Sequence, residues 1–275
     1  MLAHIRSLLY VPARKPEMLR KIGRLGADFY IVDLEDGIGP EHKNSARQIV
    51  ADVHAEGALP AEGWALRINA ERSAWIDADL ELTSAVNPPA VVLPKAEDPQ
   101  EVARRAATLQ NDALLLMLET AAGVGRAREL AAHPSVRGLV YGSADLRRSL
   151  GARPDASRAW ERHAMSEILL AARMHGCAAI DAVTFQFRDL DALADDAKIA
   201  RDLGFDGKSC IHPAQLETVH RVFSSSEEEL AWARRVHEAW EREEGERRGV
   251  IVVDGEMIEA LHVDVARRIL ERAPR

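Results

Sequence analysis

Residues 114–120 read LLLMLET, and residues 136–145 read VRGLVYGSAD. Each stretch is a short apolar run that leads into an acidic side chain, Glu119 after the first and Asp145 after the second. Continuously apolar runs of this length are typical of strands buried on both faces, as in a parallel sheet covered by helices. Because a helix is predicted to start at Ala121, the two runs form a strand–helix–strand unit.

The same alternation extends along the chain in both directions. Eight runs are predicted to be strands: Ser7–Pro12, Phe29–Leu34, Ala65–Asn69, Ala90–Pro94, Leu114–Glu119, Val136–Tyr141, Ala178–Val183 and Lys208–His212. Helices are predicted between them, with Pro99 at the start of one, and with Gly176 and Gly204 at the ends of two others. Eight strands that alternate with helices predict a closed (β/α)₈ barrel.

A doubly wound open sheet uses the same alternation and is the structural alternative. Its phosphate-binding fingerprint is incomplete, because Gly123 and Gly125 are followed by Arg128 where the third glycine belongs. The chain has 275 residues, enough for one barrel and an appended segment. We therefore assign residues 1–222 to the barrel and residues 223–275 to a C-terminal extension.

The extension has a different pattern from the barrel. Residues 227–248 predict a long, charged amphipathic helix, on which Trp232 and Trp240 offer a docking face. A short strand at Val250–Val253 and a final helix from about His262 to Leu270 are predicted to follow. Because these segments lie beyond the eight units, we expect them to form a lid or a subunit contact.

Composition excludes several classes of protein. The hydrophobic fraction of 47% rules out a disordered chain. The formal net charge of −8 argues against nucleic acid or an anionic membrane as a partner. The two cysteines, Cys177 and Cys210, suit neither a disulfide scaffold nor a zinc site, and no apolar run has the length of a membrane span. We therefore expect a soluble, cytoplasmic protein.

Polar side chains are concentrated where the predicted strands end, which is where barrel enzymes form their active sites. Glu119 and Asp145 come from adjacent strands, and two carboxylates with open positions for water and substrate suit Mg²⁺. Arg67 offers a planar set of donors for a carboxylate or an enolate oxygen. For any one of these residues, an ion pair at the barrel rim is the alternative interpretation.

Two further features extend this candidate site. The helix after Glu119 could hold an anionic substrate group on its free N–H groups, with Gly123 and Val124 in its first turn. Lys95 follows the fourth strand. It is interpreted either as an electrostatic partner of Asp36 or Glu119, or as the lysine of a Schiff-base aldolase.

Short motifs occur in a fixed order between about Arg6 and about Ile269. They are Arg6–Pro12, Gly26–Asp28, Asp33–Gly37, Leu66–Asn69, Val92–Lys95, Leu118–Ala121, Gly142–Leu146, Gly204–Lys208 and Ile211–Pro213. The ordered set resembles the citrate lyase β-subunit-like family of the HpcH/HpaI aldolase superfamily, over nearly the whole chain. It is far more specific than any of its motifs alone.

The resemblance implies a Mg²⁺-dependent (β/α)₈ lyase that acts on 3-hydroxyacyl-CoA thioesters such as citryl-, malyl- or citramalyl-CoA. It implies that Glu119 and Asp145 bind the metal and that Arg67 binds the substrate and the enolate. Asp36 is implied to hold metal-bound water or substrate. Family members are often trimers in which the C-terminal segment closes over a neighbour's active site, so the resemblance also implies a homo-oligomer.

Two segments depart from the family pattern. Arg14 and Lys15 lie where the family has Gly-Asp-Arg-Pro, and they keep the positive charge expected to contact the phosphates of CoA. Glu259 takes the place of the family's proton-donating Asp, and Leu261 replaces a Pro. We expect Glu259 to return a proton to the enolate carbon.

The sequence thus predicts retro-Claisen cleavage to acetyl-CoA and a keto acid. Two alternatives belong to other classes. A Schiff-base aldolase would use Lys95 on a free keto acid, would need no metal and would be trapped by borohydride. A CoA-binding accessory protein, or a subunit that depends on a carrier protein, would bind CoA without turnover.

Overall fold

Eight parallel strands close into a barrel in the computed structural model, which describes residues 4–109, 111–153, 157–242 and 249–271. Each strand pairs with the next one along the chain, and the last pairs with the first. The strands are β1 Ser7–Pro12, β2 Phe29–Asp33, β3 Trp64–Arg67, β4 Val91–Leu93, β5 Leu114–Leu118, β6 Val136–Tyr141, β7 Ala178–Asp181 and β8 Gly207–Cys210. The predicted (β/α)₈ barrel is confirmed.

Helices connect the strands and surround the barrel. They are α1 Pro16–Leu19, α2 Lys43–Ala55, α3 Ile76–Val86, α4 Pro99–Leu109, α5 Ala121–Gly125, α6 Ala127–Ala131, α7 Ser143–Leu150, α8 Arg162–His175, α9 Leu190–Leu203 and α10 Leu216–Phe223. Gly176 and Gly204 directly follow α8 and α9 in the left-handed conformation, as predicted, because a residue without a Cβ adopts it readily.

The alternation of side chains along each strand sets the chemistry of the barrel mouth. The barrel interior is filled by buried apolar residues that include Leu8, Phe29, Ile31, Ala65, Val92, Leu115, Met117, Val140 and Ile180. Side chains of a strand point inward at every second position. The next inward positions on β2, β3 and β5 are therefore Asp33, Arg67 and Glu119. These three charged residues continue the inward-facing series beyond the apolar core, so they lie at the C-terminal mouth of the barrel.

The chain divides into two compact units, Met1–His220 and Arg221–Arg275. The second unit contains α11 Glu227–Arg242, an antiparallel hairpin of β9 Val250–Val253 and β10 Glu256–Glu259, and α12 Ala260–Glu271. The predicted strand at Val250–Val253 is confirmed. The predicted long helix is observed as far as Arg242, and residues 243–248 lie outside the described residues.

The second unit has an apolar core of its own, which corrects one expectation. Trp240 is buried in that core, and Trp232 packs against it. These tryptophans therefore serve the packing of the unit itself rather than an external docking face. None of the described helices has the length and apolar character of a membrane span.

Candidate active site

A cavity of about 310 Å³ opens among the C-terminal ends of the barrel strands. Its charged lining residues are Asp33, Asp36, Arg67, Glu119 and Asp145, and its uncharged ones include Tyr10, Met117, Val183, Phe185, Ser209 and Ile211. The structure therefore brings together the four residues that the sequence analysis assigned to metal, substrate and water at the strand ends. It adds Asp33, to which no role was assigned.

A buried carboxylate holds Arg67 in place. The Nε and Nη2 atoms of Arg67 donate to the two Oδ atoms of Asp33 at 2.6 and 2.8 Å, and the Tyr10 ring lies 4.9 Å from the guanidinium carbon. Asp33 also accepts hydrogen bonds from the backbone N–H groups of Glu35 and Gly37. Burial alone would raise the pKa of Asp33, but Arg67 and these hydrogen bonds hold it below its usual value. This two-point contact fixes the plane of the guanidinium group.

Glu35 is a second buried carboxylate beside Arg67. Its Oε1 accepts a hydrogen bond from the Lys95 ammonium group. Its Oε2 lies 3.0 Å from Nη1 of Arg67 but has no hydrogen-bond partner among the described residues. Burial raises the pKa of Glu35 despite the opposing influence of Arg67. Its place two residues after Asp33 is the signal that could have assigned it to the site.

Glu119 is buried in surroundings that on balance disfavour its charge. Its Oε1 accepts the backbone N–H of Lys95 at 2.8 Å. Burial, reinforced by the charge of Glu35, raises the pKa of Glu119 to about 7. The backbone of Gly142 packs so closely that a Cβ there would overlap the Glu119 side chain. Glycine at position 142 is therefore required for Glu119 to occupy this place.

Asp145, in the first turn of α7, lines the same cavity as Glu119. Its Oδ1 lies 2.8 Å from Nη2 of Arg148, and its side chain is partly exposed. Asp36 is more exposed, and its Oδ2 lies 3.7 Å from Nζ of Lys95. Both groups can therefore still turn toward a ligand in the cavity.

The Lys95 ammonium group lies among these carboxylates, in contact with Glu35 and 4.0 Å from Oδ2 of Asp145. We name Glu35, Lys95 and Glu119 the mouth cluster. Burial would lower the pKa of Lys95, but the bond to Glu35 and the nearby carboxylates raise it above its usual value. A Schiff-base lysine must be uncharged to attack a carbonyl group. The surroundings therefore favour the electrostatic interpretation of Lys95.

The donor set fits a hard divalent cation. The mouth of the barrel presents carboxylate oxygens, and the Lys95 ammonium group shows that a cation is already favoured there. Within the described ranges, no three His, Cys, Asp or Glu side chains converge as a complete cage. Mg²⁺ does not need such a cage, because it commonly takes one or two carboxylates and completes its shell with water and substrate oxygens.

The N-terminus of α5 is the predicted anion site at Gly123 and Val124, and that role stays a prediction. The N–H of Gly123 donates to Oγ1 of Thr120 at 3.1 Å, and the N–H of Val124 donates to the Thr120 carbonyl oxygen at 3.0 Å. Both groups are thus already bonded within α5, and neither residue is among those that line the cavity. The sequence predicted the helix start but not that Thr120 would cap it.

Three predicted residues are not among those that line the cavity. Arg14 and Lys15 are exposed in the turn after β1, at the same end of the barrel. Glu259 is exposed at the end of β10 in the second unit, where its N–H donates to Nδ1 of His262 at 3.0 Å. Their assigned roles stay predictions.

Lys43 was missed by the sequence analysis. Its buried ammonium group donates to the carbonyl oxygens of Leu34 and Glu35 at 2.7 and 2.8 Å and to Oδ1 of Asn69 at 2.6 Å. Burial lowers the pKa of Lys43. Lys43 therefore fixes the segment that carries Glu35 to α2. No periodicity signals this role, because a lysine on a surface helix is ordinarily exposed.

A second buried charge cluster, which we name the β7–β8 cluster, consists of Arg158, Glu161, Asp181 and Lys208. Lys208 Nζ lies 2.7 Å from Asp181. Arg158 donates two hydrogen bonds to Asp181, at 2.7 and 2.9 Å, and two to Glu161, at 2.8 and 3.1 Å. Asp181 follows Ile180, which points into the barrel, so the cluster lies on the outer face of the strands. It is not part of the cavity lining.

A family model described as HpcH/HpaI aldolase/citrate lyase matches residues 6–213. The chain belongs to this family. A second model, described as a carbon–carbon bond lyase of the TIM-barrel fold, matches residues 152–275. The resemblance drawn from the ordered motifs is confirmed, and so is membership of a family of carbon–carbon lyases.

Relatives of this chain bind magnesium and CoA. A (3S)-malyl-CoA thioesterase of Cereibacter sphaeroides is 38% identical over 98% of this chain and 94% of its own length. The protein CitE of Mycobacterium tuberculosis, in complex with magnesium, acetoacetate and coenzyme A, is 35% identical with a TM-score of 0.85 over 99% of both chains. A citrate lyase β subunit from the same organism, complexed with oxaloacetate and magnesium, is 34% identical with a TM-score of 0.73 over 81% of this chain and 98% of its own. Magnesium is thereby confirmed as the metal that the resemblance implies.

Proposed function

We propose that this protein is a Mg²⁺-dependent lyase that cleaves a 3-hydroxyacyl-CoA thioester into acetyl-CoA and a keto acid. The observation that carries the proposal is the convergence of Arg67, Glu119 and Asp145 on one cavity whose metal donors are all carboxylate oxygens. The magnesium and coenzyme A held by a relative of 35% identity support the same class of substrate.

Glu119 and Asp145 are the residues that would hold the metal. The N–H of Lys95 fixes one oxygen of Glu119 at 2.8 Å, and Glu119 and Asp145 both line the cavity. When bound, Mg²⁺ supplies a Lewis acid that orients the hydroxyl and carboxylate oxygens of the substrate and lowers the pKa of the hydroxyl. The hydroxyl proton would pass to a carboxylate of the cavity lining, such as Asp36. The oxygen then forms the carbonyl of the keto acid as the carbon–carbon bond breaks, and the electron pair of that bond leaves on the enolate of the CoA thioester.

Arg67 stabilises the enolate that leaves with CoA. Its Nε and one N–H of Nη2 are committed to Asp33, and its Nη1 faces Glu35 and the sulfur of Met117, 3.4 Å away. One N–H of Nη2 remains for the thioester oxygen, on which negative charge develops as the bond breaks. A donor already held in position loses little free energy to reorganisation during the reaction.

We propose that Glu259 protonates the enolate carbon to give acetyl-CoA, in a homo-oligomer where it serves a neighbouring subunit. The exposure of Glu259 at the end of a hairpin supports this role. Mixing Glu259→Gln subunits with Arg67→Ala subunits tests it, because some interfaces of a hybrid oligomer would contain both intact residues. Absence of recovered activity in oligomers shown to have exchanged subunits would overturn the shared site.

The deciding experiment incubates purified protein with citramalyl-, malyl- and citryl-CoA in Mg²⁺ and identifies the products. A lyase releases acetyl-CoA and a keto acid, and EDTA should abolish the release. Thioester hydrolysis is the second candidate, because a relative of 38% identity is a thioesterase. It would release free CoA with an intact hydroxy acid. Borohydride inactivation in the presence of a keto acid would instead favour the Schiff-base aldolase.

A further inference from the structure

Lys95 lies beside the proposed metal ligands, and its backbone and side chain make different contacts there. The backbone N–H donates to Oε1 of Glu119 at 2.8 Å. The ammonium group contacts Oε1 of Glu35 and lies 3.7 Å from Oδ2 of Asp36 and 4.0 Å from Oδ2 of Asp145. The Lys95 side chain is only 28% exposed, so water screens these charges incompletely.

The backbone of Lys95 is strained. Its φ angle is 49°, in the left-handed region that glycine adopts readily and asparagine occasionally. Other residues in this conformation raise the free energy of the fold, and they are concentrated at functional sites. A lysine at this position therefore points to a function of its side chain, because the N–H that fixes Glu119 would be present in a glycine as well.

Two arginines near the cavity are less able than Lys95 to act on a bound ion. Arg67 is neutralised by Asp33, to which it donates at 2.6 and 2.8 Å. Arg148 lies 2.8 Å from Oδ1 of Asp145, but its side chain is 78% exposed, and an exposed ion pair contributes little. Lys95 is more deeply buried than Arg148, so its charge acts more strongly on an ion in the cavity.

We propose that Lys95 balances the charge of the metal site: its ammonium group weakens the binding of Mg²⁺ itself and strengthens the binding of the anionic acyl group to the Mg²⁺-loaded site. Because like charges repel, the ammonium group opposes the entry of a dication among the carboxylates. With the metal in place, the same group offsets the charges of Glu35 and Asp36, which would repel an incoming carboxylate. The inference rests on the metal site of the proposed function and is independent of which bond is cleaved.

The test measures two binding constants by calorimetry, first for Mg²⁺ alone and then for pyruvate, a small keto acid, at saturating Mg²⁺. Lys95→Asn and Lys95→Met remove the charge with side chains of different size, and both keep the N–H to Glu119. We expect each variant to lower the Kd for Mg²⁺ at least about 10-fold and to raise the Kd for pyruvate at least about 5-fold. Asparagine also tolerates the left-handed backbone, so it adds no strain.

Two further variants serve as controls. Lys95→Arg keeps the positive charge and should leave both Kd values near those of the wild type. Lys21→Asn removes a positive charge from the exposed turn after α1, which is not part of the cavity lining, and should change neither constant. If Lys95→Arg behaved like Lys95→Met, the shape of the side chain rather than its charge would be responsible, and the inference would be wrong.

The opposite directions of the two shifts separate a charge effect from a structural one. A parallel loss of both affinities, unchanged constants in Lys95→Asn and Lys95→Met, or failure of pyruvate to bind the Mg²⁺-loaded wild type would each overturn the inference alone. A wild type that binds no Mg²⁺, or whose Mg²⁺ affinity survives Glu119→Gln, would overturn the proposed metal site as well. Opposite shifts without cleavage of any thioester would leave this inference standing and remove the lyase proposal.

Discussion

The mouth cluster and the β7–β8 cluster use the same kinds of residue and differ in how completely their charges are paired. Asp181 of the β7–β8 cluster has a cation at each oxygen, and although burial alone would raise its pKa, Lys208 and Arg158 hold it below its usual value. In the mouth cluster, burial raises the pKa values of Glu35 and Glu119. The carboxylate of Asp181 in the β7–β8 cluster is fully paired with cations. The carboxylates of the mouth cluster have too little positive charge around them and could bind a further cation.

This difference indicates which cluster stabilises the fold and which one binds a ligand. Buried carboxylates with insufficient positive charge destabilise a fold, so their presence at a cavity is a marker of a binding site. A cluster that is fully paired and outside the cavity needs no ligand to explain it. We therefore expect the loss of a carboxylate to lower the free energy of unfolding in the β7–β8 cluster, and to leave it unchanged or raise it in the mouth cluster.

Asp181→Ala should have the largest effect on stability. It leaves Lys208 and Arg158 buried without their shared carboxylate, and breaking a buried ion pair in this way costs about 3–5 kcal/mol. The free energy of unfolding in urea measures the loss. Asp196→Ala is the control, since Asp196 is partly exposed and 3.7–3.8 Å from the same cations, and it should cost less than about 1 kcal/mol. Equal losses would contradict the distinction.

Glu119→Gln should lower activity without lowering stability. The amide keeps the shape of the side chain and an oxygen for the N–H of Lys95, but it removes a buried charge near Glu35. We expect kcat/KM with Mg²⁺ to fall at least about 100-fold, because a metal ligand is lost, while stability without metal is unchanged or higher. Glu129→Gln, on exposed α6 surface, should change neither quantity. A destabilised but fully active Glu119→Gln protein would refute the assignment.

Much of the fold and part of the site follow from the sequence. The strands were predictable because a strand buried on both faces is continuously apolar, as Leu114–Leu118 is. Arg67, Glu119 and Asp145 were predictable because strand ends meet at one end of a barrel. These predictions needed only the order of elements and the direction of the strands.

The remaining features depend on tertiary contacts that leave little local signal. Lys43 holds the β2 loop through backbone carbonyl oxygens, which carry no side-chain pattern in the sequence. The N–H groups of Gly123 and Val124 could be assigned as bonded only after Thr120 was seen to cap α5. Strand β10 could have been predicted, because an Asp-Gly pair such as Asp254-Gly255 favours a hairpin turn. Both residues adopt the positive φ angles that such a turn requires.

Arg67→Lys tests whether the two-point contact with Asp33 matters for chemistry. A lysine keeps the charge but cannot occupy both oxygens of Asp33 and still present an N–H to the thioester oxygen. We expect kcat/KM to fall about 10- to 100-fold, with the larger part in kcat because the lost contact forms as the bond breaks. Arg20→Lys is a matched control, since Arg20 makes an exposed two-point contact with Glu56 at 2.7 Å and should tolerate the change. Unchanged kcat/KM in Arg67→Lys would make Arg67 structural.

The smallest expected effect is on the pH dependence of stability between pH 6 and 8. Burial raises the pKa of Glu119 to about 7 in the folded protein, above its value in the unfolded chain. The folded state therefore binds the proton more tightly, and this contribution to stability is present at low pH and is lost as pH rises through about 7. Without metal, the wild type should lose about 1 kcal/mol of unfolding free energy from pH 6 to pH 8, relative to Glu119→Gln.

Between pH 6 and 8, the contribution of Glu119 to stability should change and that of Asp181 should not, so the measurement distinguishes the two clusters. Asp181 has its pKa held below the usual value, so it stays ionised and its contribution does not change between pH 6 and 8. Mg²⁺ competes with the proton for Glu119, so saturating metal should remove the decline or reverse it in the wild type and leave Glu119→Gln unaffected. A wild-type profile parallel to that of Glu119→Gln in EDTA would mean that Glu119 is ionised throughout. The mouth cluster would then be electrostatically complete without a metal, like the β7–β8 cluster.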